Sequence, residues 1–206
     1  MKTNPPSIVP IKDYLNYYWL EKYLDEGCSN FQNNECLSAE EFFLIVEWKN
    51  PKHGRRYLSY LTDKDIGTLT GNIYLAGKIS DNASRKNRLE ILLNDGKKNR
   101  RGIRLATASA ILTILYPTEF TVYDVRVRKQ LRKHGLWQEE PDEKPPFGDI
   151  TYDKDVVNKY LEKYLPAVNS LREEGMSLRD CDRALWANDW LEDLREWMKN
   201  RHKSKS

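Results

Sequence analysis

An all-α fold of about eight helices, with no substantial sheet, is what this sequence predicts. Three observations carry that prediction. Apolar residues recur at three- and four-residue spacing through most of the chain. Capping and stop residues punctuate those stretches at plausible helix lengths. The two segments with strand character, Ile8–Pro10 and Phe120–Tyr123, are too short to build a sheet.

After a Pro-rich start, Ile11–Leu24 places Tyr14, Leu15, Tyr18, Trp19 and Leu24 at helical spacing. Ser38 with Glu41 forms a capping box, opening a helix that carries Phe42, Phe43, Ile45, Val46 and Trp48 and stops at Asn50-Pro51. Thr62 or Asp63 caps a helix with Ile66, Leu69, Ile73 and Tyr74, closed by Gly77. Ser80–Leu93 is the next, with Leu89, Leu92 and Leu93 inward and Gly96 at its end. Leu105–Leu115 follows and halts before Pro117; Val125–His134 is a basic helix ending at Gly135. Gln138–Gly148, with three prolines among acids, reads as a loop. Asp153–Leu165 turns Val156, Val157, Tyr160, Leu161 and Tyr164 inward. Ser177 and Asp180 cap a final helix burying Cys181, Leu185, Leu191, Leu194 and Met198 or their neighbours, and Lys199–Ser206 is a basic tail. The 206 residues make one helical domain, or two tightly packed helical lobes.

Composition excludes several classes. The 23 aromatics (12 Tyr, 6 Trp, 5 Phe) supply buriable surface that a disordered chain lacks. No apolar run approaches a membrane span, so a cytoplasmic protein is expected, associated with the nucleoid if bacterial. Cys28, Cys36 and Cys181 are too few for a four-cysteine zinc or iron–sulfur site. His53, His134 and His202 show no metal-binding spacing, and no phosphate loop or dinucleotide fingerprint is present. No metal or other cofactor is expected, and the protein is expected to be a monomer.

Charge placement is more informative than the net charge of +3. Residues 85–133 hold thirteen bases and four acids, a net of +9, so the rest of the chain sums to −6. Such polarisation creates a local positive field. Lys97, Lys98, Arg100, Arg101 and Arg104 cluster about Gly102, just before a helix start. A tight turn there offers main-chain N–H groups and a positive dipole end to a phosphate.

The stretch GIRLATASAILTILYPTEFTVYDVRVRKQL, from Gly102 to Leu131, resembles the helix-hairpin-helix DNA glycosylases of the endonuclease III and adenine-glycosylase superfamily. Gly102-Ile103 stands at the hairpin, Thr107-Ala108 opens the helix, and Asp124 follows Thr107 by 17 positions. The resemblance covers roughly residues 80–135, and the hairpin with its Asp segment spans about 85–134. It implies binding of double-stranded DNA through Lys97, Lys98, Arg100, Arg101, Gly102, Ile103, Arg104 and Thr107. It also implies that Asp124 stabilises an oxocarbenium-like sugar while water attacks the anomeric carbon, releasing a damaged or mispaired base. Asp is equally a preferred N-cap for the helix that follows.

The chain departs from the family in three places. Where strand-cutting members carry a Lys before Thr-Ala, this chain has Ala106, which predicts monofunctional base excision. Arg104 replaces the hairpin's second glycine, and no iron–sulfur cysteines follow the motif. Glu47 is the candidate second acid, chosen over Glu40 and Glu41 on the same helix. Lys49 is another position from which an amine could come, and Trp48 and Tyr57 could stack on a flipped base. Two other readings stand: a non-catalytic helix-hairpin-helix DNA-binding protein, and a helical interaction protein without a nucleic-acid role.

Overall fold

The computed structural model describes residues 24–50, 61–77, 80–98, 103–138 and 154–203. Within them the chain is all-helical, with no strand. Eight helices succeed one another: α1 Asp25–Asn34, α2 Ala39–Lys49, α3 Asp63–Ala76, α4 Asn82–Lys98, α5 Leu105–Leu115, α6 Val125–Lys133, α7, and α8 Leu178–Lys203. Helix α7 is composite, with α-helical Lys154–Lys159, a π turn Tyr160–Tyr164 and α-helical Leu165–Ser170. The expected Ile11–Leu24 helix, except Leu24, and the expected Gln138–Gly148 loop, except Gln138, lie outside the described residues, as do Tyr57, Arg100, Arg101 and Gly102.

Local chemistry sets most boundaries. Ser38 and Glu41 form a full capping box on α2, and Thr62 with Asp65 forms one on α3. Ser177 and Asp180 exchange the same pair of bonds at the start of α8. Helix α6 ends in a Schellman arrangement, in which Leu136 N–H bonds Leu131 O and Gly135 N–H bonds Arg132 O, with Gly135 at φ +70°.

Three expectations are corrected. Helix α4 passes Gly96 and runs to Lys98. Helix α7 does not stop at Leu165 but continues through Pro166 to Ser170. The π turn ends two residues before that proline, and Leu165 N–H reaches back to Tyr160 O. The wider winding accommodates a ring that would clash in an ordinary helix interior. On α8, Leu194 is half-buried and Met198 is 54% exposed, so among the described residues burial stops at Leu191.

Helix α5 lies at the centre, packed against α1, α2 and α4. All its residues except Ala106 are buried, as expected of a helix apolar on every side. One hydrophobic cluster runs through all eight helices, from Phe31 and Phe42 to Cys181 and Leu185. Helix α8 packs along α6, and that contact closes the bundle over the segment before α6.

Candidate active site

Residues Phe120–Asp124 cross the molecule between α5 and α6 without helical structure and without a partner strand. A buried main chain must still satisfy its polar groups. Here side chains do so. Tyr160 hydroxyl accepts Thr121 N–H at 3.1 Å and donates to Thr121 O. Tyr164 hydroxyl accepts Asp124 N–H at 3.3 Å and donates to Val122 O at 2.6 Å. Ser109 Oγ accepts Tyr123 N–H at 2.9 Å, and Asp182 Oδ2 accepts Val122 N–H at 3.4 Å. The two tyrosine rings stack 5.6 Å apart across the π turn. Burial pushes both phenols well above their ordinary range, so they remain hydroxyls able to donate.

This clamp delivers Asp124 to the start of α6. Its Oδ1 accepts Arg126 N–H at 2.8 Å, so the capping role holds. Its Oδ2 pairs with Lys49 Nζ from the end of α2, 75 residues earlier. Both side chains are largely shielded, at 13% and 15% exposed. An amine therefore reaches Asp124, although the position before Thr107 is Ala106.

A cavity of about 130 Å³ opens beside this pair, lined by Trp48, Lys49, Val122, Asp124, Arg179, Asp182, Arg183 and Trp186. It thus holds two carboxylates, three cations and two indoles. Asp182 pairs with Arg179, whose guanidinium also lies 5.5 Å from the Trp48 ring centre. Burial holds the Asp182 carboxyl above the usual carboxylate range, and nearby Asp124 adds to this; the Arg179 charge opposes it.

The other expected residues fall in different places. Glu47 has a buried Oε1 without a hydrogen-bond partner, yet it does not line the cavity. Two positions before Lys49, it faces another side of α2. Glu41 is spent on the α2 cap and on Asn30. Tyr123, the end of the short segment Phe120–Tyr123, packs among Trp137, Tyr160 and Tyr164. Arg104 is the N-cap of α5 and contributes no side-chain cap; its carbonyl accepts the N–H groups of Thr107 and Ala108. Ile103 and Thr107 are buried, so their side chains face the interior. Arg100, Arg101, Gly102 and the side chains of Lys97 and Lys98 lie outside the described residues.

Part of the basic segment is neutralised internally. Arg88 is fully buried against Glu119 at 2.9 Å, and Arg85 also approaches Glu119. Arg126 pairs with Asp189 and Asp193, Lys129 lies within 4 Å of the same two acids, and Lys133 pairs with Glu192. The basic face of α6 is therefore largely an ion-paired seam with α8.

Sequence reasoning missed Asp182, Arg179 and Trp186. A signal was present: Leu178, Cys181, Asp182, Leu185 and Asp189 form one buried stripe of α8. A carboxylate on an apolar stripe requires a partner or a task. Among the described residues no cluster of three or more His, Cys, Asp or Glu could hold a metal, and no helix is long and apolar enough to cross a membrane. Comparison with protein-family models, curated proteins and solved structures finds no match.

Proposed function

We propose that this protein is a DNA glycosylase-like hydrolase that binds duplex DNA and releases a damaged or mispaired base. The observation that carries the reading is Asp124 itself. It is a shielded carboxylate on a cavity that also contains a second carboxylate and two indoles. In the proposed reaction the C–N bond breaks and the base leaves with the bonding pair and a proton. Water supplies the new oxygen at the anomeric carbon. Asp124 faces the positive charge that develops on the sugar between those events. Trp48 and Trp186 offer flat apolar walls to a base taken out of the stack. Lys49 gives Asp124 a counter-charge in the free protein, and Ala106 leaves no amine at the position before Thr107. The reading therefore remains monofunctional.

One observation favours the non-catalytic alternative. Both oxygens of Asp124 are engaged, one by the α6 cap and one by Lys49, as a structural residue's would be. Asp124→Asn separates the two readings, because Asn is also a good cap. A panel of duplexes carrying damaged and mispaired bases is screened with the wild type for base release and for salt-dependent binding. The variant should fold and bind DNA but lose base release by at least about 100-fold. Excision at the wild-type rate would reduce Asp124 to a cap. Duplex binding without any base release would favour the non-catalytic protein, and no binding at low salt would remove DNA from the account.

A further inference from the structure

The solvent side of a surface helix is ordinarily charged or polar. On α8 it is basic at one end and aromatic along the rest. From Arg179 the helix places Arg183, Trp186, Trp190, Leu194 and Trp197 three or four residues apart, on one face. That face holds three of the six tryptophans in the chain. The buried stripe through Cys181, Leu185 and Asp189 lies on the other side. The Arg183 side chain is 24% exposed, Trp190 38% and Trp197 59%. Single apolar residues on a surface need no explanation, but a contiguous stripe marks a contact surface.

The stripe begins at the cavity, since Arg183 and Trp186 stand on its wall. That wall carries three cations and two carboxylates. Lys49 and Arg179 pair with Asp124 and Asp182. Arg183 instead donates to Asp180 Oδ1 at 3.4 Å. Asp180 is not on the wall, and its other oxygen is held by Ser177 in the α8 cap. A part-exposed pair of this kind is weak and yields to a stronger anion. The surplus positive charge therefore sits where solvent reaches it. Trp190 follows Trp186 by one turn, about 6 Å along the axis. A cation at the cavity with indoles beside and beyond it suits a chain of alternating phosphates and flat rings. Those rings must be unpaired, because in a complete duplex each base is stacked between its neighbours.

We propose that this face of α8 holds an unpaired nucleotide strand at the cavity, with Arg183 taking a phosphate and Trp190 stacking on the base next to the one in the cavity. This deepens the glycosylase reading and rests on its DNA-binding part. The preferred substrates are then strands already opened, in a bubble, at a run of mismatches or in single-stranded form. A target inside a perfect duplex is bound less well. The contact with DNA also moves away from α6, whose Arg126 and Lys133 are engaged by acids of α8.

The test uses the full chain and measures binding, so it does not depend on turnover. One fluorescein-labelled DNA strand is offered alone, in a perfect duplex, and in a duplex with three central unpaired bases. Anisotropy gives each Kd over a range of salt. The strand and the bubble should bind about 10-fold or more tightly than the perfect duplex, within what stacking of one or two bases supplies. Arg183→Gln should reduce the salt slope for the single strand by about 0.7, the value of one phosphate. Trp190→Ala should weaken that strand by about 5-fold or more and leave the slope unchanged. A perfect duplex bound as tightly as the strand, or either variant binding like the wild type, overturns the proposal. So does a dimer in sedimentation equilibrium that Trp190→Ala dissociates, since the face then belongs to a second copy. If either variant does not fold, a strand carrying 5-iodouracil is photocrosslinked to the wild type instead. Attachment should map to Trp186 or Trp190, and attachment only elsewhere overturns the proposal. The two levels fail separately. Strand binding with both variant effects but no base release removes the enzyme and keeps the face. Base release from a perfect duplex with no preference for opened strands removes the face and keeps the enzyme.

Discussion

Along the α6–α8 seam cations and carboxylates meet at the edge of the solvent, whereas under Phe120 and around Asp124 they meet away from it. At the seam, Lys133 and Glu192 are both about half exposed, and Arg126 and Lys129 converge on Asp189 and Asp193. In the interior, Arg88 is fully covered, with its guanidinium 4.2 Å from the Tyr116 ring centre and 5.3 Å from that of Phe120. Exposed pairs gain little, because water screens them and long side chains lose freedom. Buried pairs are costly to desolvate and are weak evidence of stabilisation in themselves. The contrast teaches where to look for function. The seam fixes how α6 lies on α8, and Arg88–Glu119 fills the core. The Lys49–Asp124 and Arg179–Asp182 pairs carry the same desolvation cost on the walls of a cavity, where hydrophobic side chains would have packed more cheaply.

The largest effect expected of this contrast is at Glu119. Glu119→Gln leaves the Arg88 charge covered and uncompensated, and should cost about 3 kcal/mol in a denaturant melt. The double variant Arg88→Met/Glu119→Leu should recover most of that loss, since it removes both charges and keeps the volume. A double variant as unstable as the single one would show that the pair contributes more than its packing equivalent.

A smaller loss is expected where the interior relies on hydroxyls. Tyr164→Phe keeps the ring stack but strips the donor from Val122 O and the acceptor from Asp124 N–H. Leaving two buried main-chain groups unsatisfied should cost about 1–3 kcal/mol. Hydrogen exchange at the Asp124 amide should accelerate more than at amides in the middle of α5. Unchanged exchange there would mean that the clamp does not hold the segment.

Legibility in the sequence followed the range of the interaction. The α2 and α3 caps, the bounds of α5 and the Gly135 stop depend on residues within four or five positions, and all were readable. The π turn was not, because the Asp153–Leu165 periodicity reads as an ordinary helix and the hydroxyl partners of Tyr160 and Tyr164 lie 39 and 42 residues away. Asp124 was readable as a cap. Its partner Lys49 was visible only as an isolated amine, since nothing local ties α2 to α6. The seam acids of α8 were also overlooked, so the field of residues 85–133 looked stronger in sequence than the folded chain leaves it. Asp182 was hidden differently. Its sign was a charge on an apolar stripe, and helical spacing was used there to assign burial without asking what the charge was for.

The smallest effect belongs to the rim of the seam. Lys133 and Glu192 are paired, but both are solvated, and Gln130 Nε2 also donates to Glu192 Oε2 at 2.7 Å. Removing the lysine therefore leaves the glutamate in contact with water and with an amide. Lys133→Ala should change stability by no more than about 0.5 kcal/mol, and less as salt is raised. Asp189, buried at the middle of the same seam, should respond differently. Its oxygens take Arg126 at 2.9 Å and Gln130 at 3.3 Å, so Asp189→Ala strips counter-charge and acceptor together and should cost more than Lys133→Ala. That excess should persist at high salt, because buried pairs are screened less. If both variants lose the same small amount and salt removes both losses, the seam is solvated along its whole length and the contrast with the interior is one of charge alone, not of depth.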